Sequence, residues 1–228
     1  MMDKCETKLK VLVVGTKRTC DKASLIEIPS IELIPFPVLD TKLLGDIHFA
    51  KDSYEWIILT SPAAVHHFAN LSNKPSFKDV AVVGPSTNSA AEKEDIKVSF
   101  TPKGSFNAKT LCAELIENHP KIKSALFPCS IKADDTVSYS FEKAGLKVER
   151  VNLYEPVNLD IKELPDYNAI AFFSSSSVET FAKIYGQPQT KKIAAIGKKA
   201  AISVKQYFDI EALVPLKSTS RDTIEILL

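Results

Sequence analysis

An internal repeat limits the possible folds of this chain more than any other feature. Three side chains recur at a distance of 113 residues: Ser61, Val65 and Phe68 are matched by Ser174, Val178 and Phe181. At the same distance, AVVG ending at Gly84 is matched by AAIG ending at Gly197, and Pro102 by Pro215. Such an ungapped correspondence is typical of a duplicated structural unit. The sequence therefore predicts two similar halves.

Short apolar segments alternate along the chain with segments of helical spacing. The apolar runs KVLVVG, YEWIILTS, DVAVVG, SALFPC, NAIAFFS and KIAAIG each precede such a segment. Runs that are apolar on both faces suit strands of a parallel sheet covered by helices. We therefore predict an α/β protein with two similar parallel-sheet domains of the flavodoxin-like type.

The start of the chain resembles a piece of its middle. KVLVVGTKR is similar to SALFPCSIK, and IELIPFPV is similar to VERVNLYEPV. Because the N-terminal piece is too short for a domain of its own, we predict a discontinuous domain at 1–34 plus 159–228 and an inserted domain at 38–152. The linkers, about 35–37 and 153–158, carry prolines that favour extended backbone. A two-stranded linker of this kind permits hinge motion around a ligand cleft between the domains.

Charge and cysteine content restrict the class of partner. The 29 lysines and arginines balance 28 acidic residues, so we expect no nucleic-acid or membrane partner. Cys5, Cys20, Cys112 and Cys129 lack metal-ligand spacing and are expected to be buried, reduced thiols, with no metal site. The N-terminal apolar run is too short for a signal peptide or a membrane span, so we expect a cytoplasmic protein. Nothing demands a dimer, and a monomer is expected.

Both repeated serines stand where a strand ends and a helix begins. In open parallel sheets this is where ligands bind, and helix N-termini favour anions. For Ser174, Ser175 and Ser176 two interpretations remain open: they cap a helix, or they bind an anion. GPST (84–87) and GKKA (197–200) are further loops of this kind. Lys198 and Lys199 would be favoured at a helix start by a bound anion, although two solvated lysines explain them equally well.

One tyrosine and one pair of histidines could take part in a reaction. Tyr154 lies in a proline-flanked linker segment, where its phenol can donate a hydrogen bond or a proton to a ligand, or merely pack. His66 and His67 are adjacent, so that they point about 100° apart on a helix, and both are expected to be surface residues. The chain contains no GxGxxG, P-loop or GxSxG motif.

An ordered set of short motifs resembles the uroporphyrinogen-III synthase family. The first copies are ILTSPAAV (Ile58–Val65), VVGPST (Val82–Thr87) and LKVERVNLYEP (Leu146–Pro156). The second copies are FFSSSSV (Phe172–Val178) and AIGKKA (Ala195–Ala200). The resemblance covers nearly the whole chain and implies the HemD-like fold.

The resemblance also implies a reaction. The substrate would be hydroxymethylbilane, a linear tetrapyrrole with eight carboxylates, which is cyclised with loss of water and inversion of the last ring, without metal or cofactor. Tyr154 would assist loss of the hydroxyl, and Thr87, Ser61 and Ser174 match family positions. The remaining expected substrate contacts are Pro62, Ala63, Gly84, Ser86, Ser175, Ser176, Gly197, Lys198, Lys199, Lys17 and Lys132.

Several residues depart from the family pattern. Lys198, Lys199 and Ala200 replace the usual second glycine loop, Ala63 or Ala64 replaces a basic residue, and Cys129 and Ser130 replace an arginine and glycine. Lys17, Arg18 and Lys132 are candidate replacement cations. The departures leave open a non-catalytic protein that closes around a small polyanion. A sugar-phosphate enzyme is disfavoured, because no acid–base pair accompanies the serines.

Overall fold

The structure is a computed structural model that describes residues 8–159 and 163–228. Its strands are β1 (Leu9–Thr16), β2 (Ile31–Leu43), β3 (Ser53–Leu59), β4 (Ser76–Val82), β5 (Ala125–Ser130), β6 (Val148–Asn158), β7 (Ala169–Phe172) and β8 (Ile193–Ala195). Its helices are α1 (Lys17–Ala23), α2 (Pro62–Ala69), α3 (Pro85–Lys93), α4 (Ala108–Asn118), α5 (Thr136–Lys143), α6 (Ser175–Tyr185), α7 (Lys198–Phe208) and α8 (Ser220–Glu225). Within the described ranges, no helix combines the length and apolarity needed to cross a bilayer.

The chain forms two compact units. Unit 1 comprises Met1–Asp40 with Val157–Leu228, and unit 2 comprises Thr41–Pro156. Both boundaries fall inside long strands, β2 and β6. The proline-bearing segments predicted to be extended therefore form strands, as the restriction of proline to extended or turn backbone requires.

Unit 2 contains a parallel sheet with the strand order β4-β3-β5-β6. A bulge between Cys129 and Ser130 shifts the β5–β6 register, so that Ser130 pairs with Tyr154. The start and end of the unit meet, because Leu44 N–H donates to Leu153 O over 3.0 Å. One apolar layer includes Ile57 and Phe68. A second layer is built from alternate strand residues and α4.

Unit 1 repeats this plan with the parallel order β2-β1-β7-β8. Here too a bulge interrupts the pairing of the first two strands, and it lies between Gly15 and Thr16. Thr16 pairs with Leu39, so Leu39 occupies the place that Tyr154 has in unit 2. The parallel strands with intervening helices confirm the predicted α/β class.

The repeat read from the sequence is confirmed at the level of hydrogen-bonding register. Leu59 pairs with Val82 in unit 2, and Phe172 pairs with Ala195 in unit 1, each 113 residues later. The isolated bridge between Ala81 and Phe100 returns as the bridge between Ala194 and Leu213. The two units thus share one backbone framework, and differences between them in side chains can be compared position by position.

Three of the four cysteines are buried free thiols, as predicted: Cys20, Cys112 and Cys129. Cys5 lies outside the described residues. Burial raises the pKa of Cys20 and of Cys112 to about 11, from an ordinary value of 9.0. The cause is that a thiolate loses its hydration in an apolar core.

These thiols predict a loss of stability at alkaline pH. Below pH 9 the two thiols are protonated in both the folded and the unfolded protein. Between pH 9 and about 11 they ionise in the unfolded chain but stay protonated in the folded one. The free energy of unfolding should therefore fall as pH rises through this window. Cys112→Ala should lessen the fall by roughly 2 to 3 kcal/mol, because this is the free energy that corresponds to a pKa raised from 9.0 to about 11. Urea titrations at several pH values measure the effect, and parallel pH profiles of the variant and the unmodified protein would contradict it.

Candidate active site at the carboxyl edge of the unit 2 sheet

The candidate site of unit 2 follows from its parallel sheet. Because all four strands run in one direction, their carboxyl ends share one edge, where such sheets bind ligands. The loops at this edge carry Ser61 after β3, Gly84 to Thr87 after β4, and Lys132 after β5. Tyr154 reaches the same edge from β6 through its pairing with Ser130.

Tyr154 and Ser61 are in direct contact, with their hydroxyl oxygens 2.9 Å apart. Ser61 caps α2, since its Oγ accepts a hydrogen bond from Ala64 N–H over 3.0 Å, and Pro62 fills the first helical position. The serine therefore keeps a fixed place and still has its own proton to donate. The sequence predicted both residues as site residues, and the structure brings them together.

The Tyr154 phenol is buried, with 7% of the residue exposed. Burial raises the pKa of Tyr154 above its ordinary 10.0, and the hydrogen bond with Ser61 offsets part of this effect. A charged Cys129 thiolate would raise it further. The phenol is therefore protonated at neutral pH and is available as a hydrogen-bond or proton donor.

His67 is the residue of this site that the sequence reasoning missed. His66 is exposed, as expected, with Nδ1 2.9 Å from Glu94 Oε1. The same expectation is wrong for His67, which is half-buried and stacks on the Tyr154 ring at 5.1 Å between centroids. A signal for this was present: His67 lies three residues after Ala64 on α2, hence on the buried side of the helix.

The first turn of α3, directly after β4, contains a buried hydroxyl that has no hydrogen-bond partner among the described residues. Thr87 is 1% exposed, and its Oγ1 makes no hydrogen bond within the described part of the chain. The residue before the helix is Gly84, where a side chain does not fit, because a Cβ there would lie 2.8 Å from Phe106 Cβ. Ser86 is exposed beside it. Buried polar groups in proteins are nearly always satisfied, so the Thr87 hydroxyl is a candidate ligand contact.

Arg150 shapes the loop after β5. Its guanidinium donates to Ala133 O over 2.7 Å and to Asp135 Oδ1 over 2.6 Å, so this arginine is engaged in holding the loop. Lys132 is exposed on the same loop, and its N–H donates to Ser130 Oγ over 3.2 Å. Lys132 is therefore presented to solvent, whereas Arg150 is engaged with the loop.

Unit 1 carries the other predicted residues at the carboxyl edge of its own sheet. Ser174 and Ser177 form a capping box: Ser177 N–H donates to Ser174 Oγ, and Ser174 N–H donates to Ser177 Oγ, both over 3.1 Å. Ser174 Oγ also lies 3.1 Å from Ser176 Oγ, and Ser175 is half-buried in the first turn. The serine run thus caps α6, which leaves the hydroxyls of Ser174 and Ser176 near the surface.

Of the remaining predicted cations of unit 1, three are exposed, namely Lys17, Lys198 and Lys199, whereas Arg18 is half-buried. Gly197 is the N-cap of α7, and Lys198 and Lys199 are its first two residues, a position where the helix dipole disfavours cations. Lys17 is exposed as well, and its Nζ lies 3.9 Å from Asp21 Oδ2.

Ala63 is half-buried in α2 of unit 2. In residues 8–159 and 163–228, no group of three or more His, Cys, Asp or Glu side chains could hold a metal ion.

Comparisons with known proteins agree on one family. The sequence profile of the family described as uroporphyrinogen-III synthase HemD matches residues 21–225. A protein of Methanocaldococcus jannaschii provisionally named uroporphyrinogen-III synthase is 26% identical over an alignment 240 positions long, which covers 96% of this chain and 98% of that protein.

Solved structures show the same fold. Uroporphyrinogen-III synthetase from Helicobacter pylori superimposes with a TM-score of 0.70 at 14% identity, covering 96% of this chain and 97% of that one. A mutant uroporphyrinogen III synthase from Thermus thermophilus gives 0.55 at 12% identity, covering 95% and 96%. Since the family profile spans most of the sequence, this chain belongs to the uroporphyrinogen-III synthase HemD family.

Proposed function

We propose that this protein is a uroporphyrinogen-III synthase, which cyclises hydroxymethylbilane with loss of water and inversion of the last pyrrole ring. The observation that carries the proposal is the buried, protonated Tyr154 phenol in contact with the helix-capping Ser61, in a chain of this family. The family acts on a small tetrapyrrole. A phenol held in this way suits a reaction that begins with departure of a hydroxyl group.

In the proposed first step, the C–O bond of the terminal hydroxymethyl group breaks. The Tyr154 hydroxyl gives its proton to the leaving oxygen, which departs as water. Ser61 Oγ, which lies 2.9 Å away, donates a hydrogen bond to the phenolate that forms. The substituted carbon of the last ring then attacks the methylene carbon that lost the hydroxyl, which forms a spiro intermediate. The bond from this ring carbon to its original bridging carbon breaks, and the bridging carbon bonds to the unsubstituted carbon of the same ring, so that the ring is inverted. Closure of the macrocycle releases a proton that restores the phenol.

The substrate carboxylates require donors at several points. In unit 2 we assign this role to Gly84, Ser86, Thr87, Lys132 and the loop formed by Ser61, Pro62 and Ala63. In unit 1 we assign it to Lys17, Ser174, Ser175, Ser176, Gly197, Lys198 and Lys199. The support is that each group lies at the start of a helix or in a loop at a carboxyl edge, where N–H groups, hydroxyls and lysines favour anions. We also propose a monomeric, cytoplasmic protein, since the described cysteines are free thiols.

A product assay tests the proposed function. Purified protein with freshly prepared hydroxymethylbilane should yield the type III isomer, whereas spontaneous closure yields type I. Chromatographic separation of the oxidised porphyrins gives the isomer ratio. If only the type I isomer forms at the spontaneous rate, the proposal is wrong. That result would favour a protein that binds a polyanion without converting it. Ala200 would suit this role, because it is buried at the position that Thr87 has in unit 2 and carries no hydroxyl.

A further inference from the structure

We propose that His67 is a positioning residue for Tyr154 and that Thr41 holds His67 in place. The inference rests on the proposed function, because it concerns the group that donates the proton there. His67 does not need to touch the substrate for this role. It would fix the plane of the phenol, and thereby the direction of its hydroxyl, before the substrate arrives.

The contacts of Tyr154 show what His67 adds. The backbone of Tyr154 is held by β6, where its carbonyl accepts a hydrogen bond from Ile131 N–H over 3.0 Å. The hydroxyl is held at one point, Ser61 Oγ. Between these two ends, the plane of the ring depends on the side chains packed against it. The imidazole of His67 covers one face of the ring, with an angle of 24° between the two planes. This contact restricts rotation of the phenol ring.

Thr41 completes the arrangement. His67 Nε2 lies 2.9 Å from Thr41 Oγ1, at the point where β2 enters unit 2. A hydroxyl can donate to or accept from an imidazole nitrogen, so this contact orients the ring in either tautomer. The imidazole is therefore held on one side by a strand and presents its face to the phenol. Ser61 and His67 both belong to α2, counting the helix cap, so a single element sets the hydroxyl and the plane of Tyr154.

The other unit provides an internal comparison. The capping serine is present in both copies, as Ser61 and Ser174. The rings of Tyr154 and His67 have no counterpart in unit 1. Leu39 occupies the position of Tyr154, and Thr180, 113 residues after His67, occupies the position of the histidine. Leu39 and Thr180 are both buried, so the framework packs well without either ring. The histidine thus accompanies the tyrosine and is not a requirement of the repeated fold.

Four variants test the assignment. His67→Thr introduces the residue of the other copy, and Thr41→Val removes the hydrogen bond to the ring. His67→Phe keeps a stacking ring but loses that hydrogen bond. His66→Thr is the matched control, because His66 is exposed on the same helix and contacts Glu94. Two measurements are made on each: kcat and KM for formation of the type III isomer, and the NMR signals of the Tyr154 ring without substrate.

We expect His67→Thr to lower kcat by roughly tenfold with KM nearly unchanged, because misorientation of a reacting group mainly affects the chemical step. Thr41→Val should lower kcat less, and His67→Phe should restore most of it. The Tyr154 ring should flip faster in His67→Thr, as measured by exchange between the NMR signals of its two edges, and its flip rate should stay unchanged in His66→Thr. A role in stability alone would lower the melting temperature and leave kcat per folded molecule unchanged.

Either of two results would overturn the assignment: an unchanged kcat in His67→Thr, or a Tyr154 ring that flips no faster after the loss of His67. The NMR measurement needs no turnover. If the unmodified protein forms only the type I isomer, the proposed function fails, and the flip rate of Tyr154 still decides whether His67 restrains the phenol.

Discussion

Tyr154→Phe is expected to reduce formation of the type III isomer by roughly 100- to 10,000-fold, the usual contribution of a positioned proton donor. The variant keeps the ring, and thus its place in the apolar cluster of unit 2 and its stacking with His67. It loses the hydroxyl that contacts Ser61. Because the substrate also closes without assistance, the remaining product should be the type I isomer. Initial rates and isomer ratios by chromatography measure both effects.

The matched control is Tyr167→Phe. Tyr167 is also a buried tyrosine whose hydroxyl makes a hydrogen bond, in this case accepted from Gln189 N–H over 3.0 Å. It precedes β7 and so lies at the opposite edge of its sheet from the proposed site. Both variants should lose about 1 kcal/mol of stability, the worth of one hydrogen bond. Equal activity of the two variants would refute the role of Tyr154 as the proton donor.

Thr87→Val is expected to separate activity from stability. The hydroxyl of Thr87 is buried and has no partner among the described residues, so it costs free energy in the folded state. Valine has nearly the same shape, and we expect unfolding to become harder by about 1 kcal/mol. If the hydroxyl binds a substrate carboxylate, the same change should lower kcat/KM by roughly 10- to 100-fold. Denaturant titration and steady-state kinetics give the two numbers.

Thr223→Val is the corresponding control in unit 1. Its hydroxyl is as buried as that of Thr87, but it donates to Thr219 O over 2.7 Å. Its loss leaves a carbonyl without this donor and should destabilise the protein by about 1 kcal/mol with little change in kcat/KM. The two threonines should therefore respond in opposite directions. A Thr87→Val variant that is less stable and fully active would show that the hydroxyl serves the fold.

The repeat made much of the fold predictable. Ser61 and Ser174 cap equivalent helices, and Gly84 and Gly197 begin the next pair, because the strand-to-helix turns were duplicated together with their sequences. The parallel strands were recognisable from apolar runs, since a strand covered on both faces has no polar side. The bulges before Thr16 and Ser130 were not predictable, because no residue type is required there.

The candidate site was predictable only where its residues lie at a strand-to-helix turn that the sequence itself indicates. Ser61, Gly84 and Thr87 follow apolar runs directly, so their place at the edge could be predicted. The contact between Tyr154 and Ser61 depends on a register shift, and the role of His67 depends on which side of α2 faces the sheet. Arg150 could equally have been a free cation, and only the carbonyls of the loop that it contacts assign it a structural role.

The insertion of unit 2 into unit 1 has a consequence for synthesis of the protein. Thr41–Pro156 is continuous in sequence and its ends are joined by the hydrogen bond from Leu44 to Leu153, so the ribosome delivers all of it before β7 is made. The first strand of the chain, by contrast, lies between β2 and β7 in its sheet. Its apolar side chains become fully covered only after the last third of the polypeptide, which contains β7, has been synthesised. During translation, the unit that contains Tyr154 can therefore fold first, while β1 lacks its partner β7 until that strand has been made.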